Sequence, residues 1–151
     1  MINTSILVLL IALLLIFLFL SLLHFYWGFG GRCGIEVALP SREDNIPLFR
    51  PGKLITLLIA FVLLICAGFF LLIIIGLAPE VTKYFFWVIL IVFSSRVIGD
   101  FKFFGLFKKY KYTRFAVNDS KYYTPLSLVI TILVLLLIVW IIFSQDHNLI
   151  S

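Results

Sequence analysis

Four uninterrupted apolar segments constrain this chain more than any other feature of its sequence. They cover residues 6–23, 54–77, 84–98 and 125–143, and charged or Gly/Pro-containing stretches separate them. A helix needs about 20 apolar residues, at a rise of roughly 1.5 Å each, to cross about 30 Å of hydrocarbon. The third segment is short and reaches that length only if its helix continues through residues 99–104. The pattern predicts transmembrane helices at about 5–26, 53–77, 83–104 and 125–143.

The composition argues against a water-soluble fold of this size. Hydrophobic residues make up 64% of the 151 positions and charged residues 13%, against about 45–50% and about 25% in soluble domains. The segments are continuously apolar and not alternating, which favours helices over a barrel. The first segment has no Lys or Arg before it and ends in bulky residues, so we interpret it as a retained span and not a signal peptide. We expect an all-α, multi-pass integral membrane four-helix bundle, with residues 1–151 as a single membrane domain.

The distribution of basic residues predicts the orientation of this bundle. Ten of the twelve Lys and Arg residues lie in or beside two loops, at about 28–52 and 105–124, and only Lys83 lies in the opposite connection. Basic residues next to membrane spans stay in the cytoplasm. We therefore expect both loops in the cytoplasm, both termini on the extracytoplasmic side, and the cell membrane as the location.

The second of these loops interleaves Phe and Tyr with Lys and Arg. Such a composition can bind nucleic acid by stacking and phosphate contacts. Beside a membrane it places rings at the headgroup boundary and cations on anionic lipid, and we favour this interpretation because spans flank the loop closely. We expect the lipid bilayer and anionic headgroups as partners and no nucleic acid. The cations expected to contact headgroups are Lys102, Lys108, Lys109, Lys111, Arg114 and Lys121.

The stretch HFYWGFGGRCG, which begins at His24, ends the first apolar segment. Its glycines are similar to a dinucleotide-binding fingerprint, but Cys33 replaces the third glycine and no strand precedes it. We interpret it as a helix end with aromatic residues at the membrane boundary. Cys66 lies roughly 20 Å deeper than the boundary, too far from Cys33 for a disulfide. No metal-binding or nucleophile motif is present, so we expect no metal, no cofactor and no catalytic residue.

Arg96 and Asp100 are charged residues near the inner end of the third predicted helix. Counting from Lys83, Arg96 lies roughly 20 Å and Asp100 roughly 25 Å into a layer of about 30 Å. Their i, i+4 spacing puts them on one helix face, and we expect them to form an ion pair. Charges at such depth usually face the bundle interior and mark a site. The pair could equally be a structural lock that fastens this helix to its neighbours.

The predicted topology brings the inner ends of all four helices, with their polar residues, to one level. His24 there is either a hydrogen-bonded interfacial residue or, given the near-neutral pKa of histidine, a proton-transfer group. These residues form a candidate polar pocket at the cytoplasmic face. Its members are His24, Tyr26, Trp27, Glu36, Arg96, Asp100, Tyr122 and Tyr123.

A spaced series of residues extends over nearly the whole chain. It consists of His24-x-Tyr26-Trp27, Gly30-Gly31, Pro40, Phe93-x-x-Arg96-x-x-Gly99-Asp100-Phe101, Gly105-x-Phe107-Lys108, Thr113-x-Phe115-x-x-x-Asp119 and Tyr123-x-Pro125-Leu126. This series resembles a family of small bacterial membrane proteins, domain of unknown function 3995 (DUF3995). The resemblance implies a four-helix integral membrane protein of the bacterial inner membrane, and it implies no activity.

These observations favour a non-enzymatic binding or accessory module, whose cytoplasmic-side pocket holds a lipid headgroup, a small ligand or a partner protein. One alternative is a membrane-embedded enzyme or proton-coupled carrier for a lipid or small molecule that uses His24 and Asp100 as acid and base. A second alternative is a structural or immunity-type protein that engages another membrane protein. An open pocket would favour the first two hypotheses, and a packed interior with an exposed helix groove would favour the third.

Overall fold

The computed structural model describes residues 3–42, 46–78 and 80–149, with side chains described as far as Phe143. Within these ranges the regular secondary structure is helical, apart from one isolated bridge between Ser41 and Pro47. The prediction of an all-α fold is confirmed. The helices are α1 (Thr4–Gly28), α2 (Ile35–Ala38), α3 (Lys53–Ile74), α4 (Thr82–Ile98), α5 (Arg114–Asn118) and α6 (Thr124–Leu149), and a π-helical turn (Asp119–Tyr123) joins α5 to α6.

Three helices are long and apolar enough to cross a membrane: α1, α3 and the continuous helix Arg114–Phe143. They indicate a membrane protein. The fourth long helix, α4, has 17 residues, which corresponds to about 25 Å of length. Its predicted continuation to residue 104 is wrong, because α4 ends at Ile98 and the next residue, Gly99, adopts φ +87°, which lies outside the helical region.

Helical structure begins at Arg114, well before the fourth apolar segment. The sequence predicted a loop over residues 105–124. The side chain of Thr113 accepts a hydrogen bond from the N–H of Ala116 at 3.0 Å and so caps the start of α5. A proline inside a continuous helix lacks an N–H, and its ring crowds the preceding turn. The wider π-helical turn lies directly before Pro125 and accommodates that ring. The other predicted loop, 28–52, contains α2, and its residues 43–45 lie outside the described ranges.

The four long helices share one apolar core. Helices α1 and α3 run antiparallel, and Ser21 of α1 donates a hydrogen bond to the carbonyl of Ala60 on α3 at 2.9 Å. The Phe17 ring on α1 lies 5.4 Å from the Phe70 ring on α3 and 5.6 Å from the Phe93 ring on α4. Close approach through small residues and dense aromatic packing are typical of helices in lipid. The core includes Leu10, Leu13, Phe17, Phe70, Phe86, Ile89, Ile130, Val134 and Leu137.

Large apolar side chains also cover the outside of the molecule. On α3, Leu54 is 71% exposed and Leu58 is 56% exposed, as suits a lipid exterior better than water. The antiparallel packing brings the last turns of α1 and α4 and the first turns of α3 and α6 to the same end of the molecule. We call this the loop end, because residues 29–52 and 99–113 connect the helices there. Both sites described below lie at the loop end.

Candidate functional site

A cavity of about 440 Å³ opens between the end of α1, the short helix α2 and the start of α3. Its volume falls within the range of sites for small ligands. Three cations line it, Arg32, Arg50 and Lys53, together with one acid, Glu36. We call it the basic cavity. The rest of its wall is formed by Trp27, Gly30, Gly31, Ile35, Leu39, Pro47, Pro51 and Thr56.

Local hydrogen bonds fold the glycine-rich stretch into the cavity wall. The indole Nε1 of Trp27 donates to the carbonyl of Cys33 at 2.8 Å, and the hydroxyl of Tyr26 accepts from the N–H of Cys33 at 3.3 Å. These two bonds turn the chain back over the last turn of α1. Arg32, which directly precedes Cys33, is thereby held at the cavity wall. The stretch that ends α1 is therefore also part of a pocket.

The charges of the basic cavity are unbalanced. Within the described ranges the ion pairs are Arg96–Asp119 and Lys108–Asp119, so none of the three cavity cations is ion-paired there. The described lining side chains carry a formal charge of +2, from three cations and one carboxylate. The N-terminal residue of α3, Lys53, also lies in this wall, and the start of a helix carries partial positive charge. The cavity therefore presents a positive potential to any ligand.

A second polar cluster surrounds Asp119, whose side chain is fully buried. Its Oδ1 accepts a hydrogen bond from Nη2 of Arg96 at 2.5 Å. Its Oδ2 accepts from Nζ of Lys108 at 2.8 Å, from the N–H of Gly105 at 2.9 Å and from the hydroxyl of Thr124 at 3.0 Å. We call these five residues the Asp119 node. The node joins α4, the second loop and α6.

The geometry of the Asp119 node suits an anchor and not an acid–base group. A buried charge is tolerated only when it is paired and its remaining hydrogen-bonding capacity is satisfied. Both oxygens of Asp119 have donors, and Lys108 is itself buried and donates also to the carbonyl of Gly105 at 3.3 Å. The guanidinium of Arg96 lies 4.7 Å from the centre of the Phe104 ring. The contacts of the node therefore hold the second loop against the helices.

The expected ion pair between Arg96 and Asp100 is wrong. Because α4 ends two residues before Asp100, the two residues do not share a helix face, and Arg96 pairs with Asp119 instead. Oδ1 of Asp100 accepts hydrogen bonds from the N–H groups of Lys102 (3.0 Å), Phe103 (2.7 Å) and Phe104 (3.0 Å). Partial burial acts to raise the pKa of Asp100, but these backbone hydrogen bonds outweigh it and hold the pKa below its ordinary value.

Three of the eight residues of the predicted polar pocket belong to the two clusters, and the other five lie outside both. Trp27 and Glu36 line the basic cavity, and Arg96 belongs to the Asp119 node. The His24 ring lies 5.2 Å from the Trp27 ring, and its Nδ1 forms a hydrogen bond with the carbonyl of Leu20 at 2.7 Å. His24 therefore lies behind the cavity wall and not in the lining.

The two predicted tyrosines have different surroundings. The hydroxyl of Tyr123 donates to the carbonyl of Val37 at 3.4 Å, which ties the π-helical turn to α2. Tyr122 is exposed, and Nζ of Lys121 lies 5.0 Å from the centre of its ring. Neither tyrosine lines the basic cavity.

The prediction that Lys108 contacts lipid headgroups is wrong, because Lys108 is buried in the Asp119 node. The other predicted headgroup contacts are exposed at the loop end, and their contact with lipid stays a prediction. They are Lys102, Lys109, Lys111, Arg114 and Lys121.

Sequence reasoning missed the grouping of Arg32, Arg50 and Lys53 and the role of Asp119. The cations come from segments on either side of α2, and no local spacing signals that they converge. Asp119 could have been recognised from the sequence, because it is an acid close before an apolar segment and lies in the series that carries the family resemblance. Within the described residues no group of His, Cys, Asp or Glu could hold a metal ion.

The sequence profile of a family described as "Protein of unknown function (DUF3995)" matches residues 17–134. The match covers most of the chain and confirms the resemblance noted from the residue series. No curated protein and no solved structure matches the chain. The family description assigns no activity, so the argument for a function depends on the two clusters at the loop end.

Proposed function

The chain belongs to the DUF3995 family, whose function is unknown, and we propose that it is a non-enzymatic membrane module that holds a small ligand in the basic cavity. The observation that carries this proposal is the cavity itself, with about 440 Å³ of space, three cations and the Trp27 ring in its wall. Pockets with mostly apolar walls and a few convergent polar groups are the usual form of ligand sites.

The proposed membrane arrangement is a multi-pass four-helix bundle in the cell membrane. The loop end lies in the cytoplasm, and the start of α1 and the end of α6 lie outside. The concentration of eleven of the twelve basic residues at or beside the loop end supports this orientation. A helix as short as α4 can span a locally thinned bilayer at a modest cost in free energy, and its packing against the other helices compensates for that cost.

The contacts of the candidate acid–base groups favour binding over catalysis or proton transport. Asp119 has donors on both oxygens, and Asp100 is occupied by backbone N–H groups. His24 is hydrogen-bonded within its own helix. None of these three groups lines the basic cavity, so a ligand bound there would not meet them.

Filling the cavity tests this proposal. Leu39→Trp places a larger side chain in the lining and leaves every cavity charge unchanged. We expect the full chain, purified from membranes in mild detergent, to retain a bound molecule that Leu39→Trp loses, because the added indole occupies the ligand's space. Native mass spectrometry before and after incubation with a lipid extract of those membranes measures the retained mass. The matched control is Ile91→Trp, on the outer face of α4, a helix that contributes no residue to the cavity lining.

The two tryptophan variants should differ. If Leu39→Trp retains the same bound mass as the wild type, or if both variants lose it equally, the cavity does not hold the ligand. A wild-type chain that carries no bound mass even after the incubation would also contradict the proposal. Far-UV circular dichroism shows whether each variant is folded.

A further inference from the structure

We infer that the ligand of the basic cavity carries a phosphate group and that this phosphate belongs to a lipid headgroup. This inference rests on the function proposed above and names the ligand class of the same cavity. Three observations support it: the kind of cations in the wall, their arrangement, and the apolar surface next to them.

The cation set fits a phosphate better than a carboxylate. The planar guanidinium groups of Arg32 and Arg50 can each donate two parallel hydrogen bonds to an anion, and Lys53 adds a compact charge. A carboxylate has two oxygens to share among three such donors, whereas a terminal phosphate has three strong acceptor oxygens. A phosphate monoester carries about −1.5 to −2 charges at pH 7, close to the formal +2 of the lining.

The three cations that line the cavity come from two separate segments of the chain. Arg32 follows α1, whereas Arg50 and Lys53 flank Pro51 and Gly52 at the start of α3. An anion bound in the cavity would therefore meet cations from both segments. The positive end of the α3 dipole adds to the same potential.

The surface beside the cavity favours a lipid over a soluble phosphate. Leu54 follows Lys53 directly and is 71% exposed, and Leu58 lies one turn further along α3 and is also exposed. A headgroup in the cavity would leave its acyl chains beside this aliphatic face. The Trp27 ring in the wall is of the kind that lies at membrane interfaces.

Direct binding measurements test the inference, with the full chain in detergent micelles. The probes are dioleoyl phosphatidic acid, dioleoylglycerol and glycerol 3-phosphate, titrated by native mass spectrometry. We expect the wild type to bind the phosphatidic acid at least tenfold more tightly than either other probe. Arg50→Gln combined with Lys53→Gln should weaken that binding at least tenfold, because two of the three phosphate contacts lose their charge. Arg42→Gln, an exposed cation of the same loop outside the lining, should stay within twofold.

Each contrary result overturns a stated part of the inference. If dioleoylglycerol binds as tightly as phosphatidic acid, the cavity does not recognise a phosphate group. If glycerol 3-phosphate binds as tightly as phosphatidic acid, the phosphate does not have to belong to a lipid. Equal losses in Arg42→Gln and in the double variant would mean that the loop attracts anions without a built site, which overturns the cavity assignment.

The cavity-filling variant separates failure of this inference from failure of the proposed function. One outcome is that Leu39→Trp loses the bound mass while the double Gln variant binds phosphatidic acid as the wild type does. In that case the inference of a phosphate-bearing ligand is wrong, and the proposed ligand-binding function is retained. If Leu39→Trp itself binds phosphatidic acid like the wild type, both proposals are wrong. Should the Gln variant not fold, Arg32→Gln takes its place. The exchange of Arg50→Lys with Lys53→Arg, which keeps the charge, should stay within threefold.

Discussion

Asp119 lies at the centre of the loop end, and its four donors come from distant parts of the chain. Arg96 belongs to α4, Gly105 and Lys108 belong to the second loop, and Thr124 begins α6. The single carboxylate faces two cations, so the Asp119 node carries a net formal charge of +1. Its members are therefore not equivalent: removal of the carboxylate leaves two unpaired cations, whereas removal of Lys108 leaves a balanced pair.

We expect Asp119→Asn to lower the free energy of unfolding by about 3–5 kcal/mol, the usual cost of breaking a buried ion pair. Lys108→Met keeps a similar volume and leaves Arg96 paired with Asp119, so its cost should be smaller. Lys109→Met is the control, because Lys109 is exposed, and it should stay within about 0.5 kcal/mol. Unfolding by dodecyl sulfate in mixed micelles measures these differences.

A double replacement tests whether the node acts as one unit. Asp119→Asn combined with Lys108→Met removes one charge of each sign and should recover part of the stability lost in Asp119→Asn alone. Losses that simply add would mean that the two residues act independently. A cost for Asp119→Asn as small as that of Lys109→Met would contradict the role of Asp119 as an anchor.

The loop that follows α4 is a tightly built element of residues 99–105. Gly99 and Gly105 both adopt φ +87°, and a Cβ on either glycine would collide with the backbone around the other. Asp100 satisfies the N–H groups inside the turn, and the N–H of Leu106 bonds back to the carbonyl of Val97 at 2.9 Å. The loop therefore ends α4 and delivers the N–H of Gly105 to Asp119.

The capping carboxylate of this loop predicts a pH dependence. The pKa of Asp100 lies below its ordinary value of 3.8 in the folded chain. Its stabilising effect is therefore complete near neutral pH and is lost as the pH falls below about 4 and through the folded pKa. Asp100→Asn keeps the acceptor oxygen and removes its charge, so we expect it to cost about 1 kcal/mol at pH 7, the difference between hydrogen bonds to a charged and to a neutral group, and less at pH 3. Thermal unfolding in detergent at both pH values measures this change.

Glu80→Gln provides the comparison for that experiment, because Glu80 is an exposed acid at the opposite end of the molecule. The destabilisation of Asp100→Asn relative to the wild type should shrink on acidification, whereas that of Glu80→Gln should change less. A difference between wild type and Asp100→Asn that stays constant from pH 7 to pH 3 would show that the charge of Asp100 does not stabilise the loop.

At the scale of the whole molecule, the sequence predicted those helix positions that depend on the lipid environment. Segment length and hydropathy placed α1 and the start of α3 within a few residues, because a helix in hydrocarbon must be apolar throughout and must satisfy its own backbone. The end of α4 and the start of α5 depend instead on local interactions, at Gly99 and at the Thr113 cap. Hydropathy carries no information about either.

The same difference between features set by hydropathy and features set by local or tertiary structure explains which site residues could be predicted. Trp27 and Glu36 could be placed at the loop end because they directly follow a predicted helix, and both line the cavity. The partner of Arg96 could not be chosen from spacing, because the choice between Asp100 and Asp119 depends on where α4 ends. The convergence of cations from either side of α2 is a property of the tertiary packing alone.

The proposed sidedness of the whole molecule can be tested with a cysteine that the chain already has. Cys33 is a free, exposed cysteine at the loop end, and Cys66 is a half-buried one within α3. If the loop end lies in the cytoplasm, a membrane-impermeant maleimide should not label the wild type in intact cells and should label it after permeabilisation. Cys33→Ser should abolish that signal, which assigns it to the loop end.

A cysteine at the other end of the molecule should give the reverse pattern. Glu80 is exposed in the connection between α3 and α4, so Glu80→Cys in the Cys33→Ser background should be labelled in intact cells without permeabilisation. The physical reason is the retention of basic residues on the cytoplasmic side: eleven of the twelve Lys and Arg residues lie at or beside the loop end. Labelling of Cys33 in intact cells, with protection of Glu80→Cys, would invert the topology. The basic cavity would then face the outside, and its phosphate-bearing ligand would have to come from the outer leaflet.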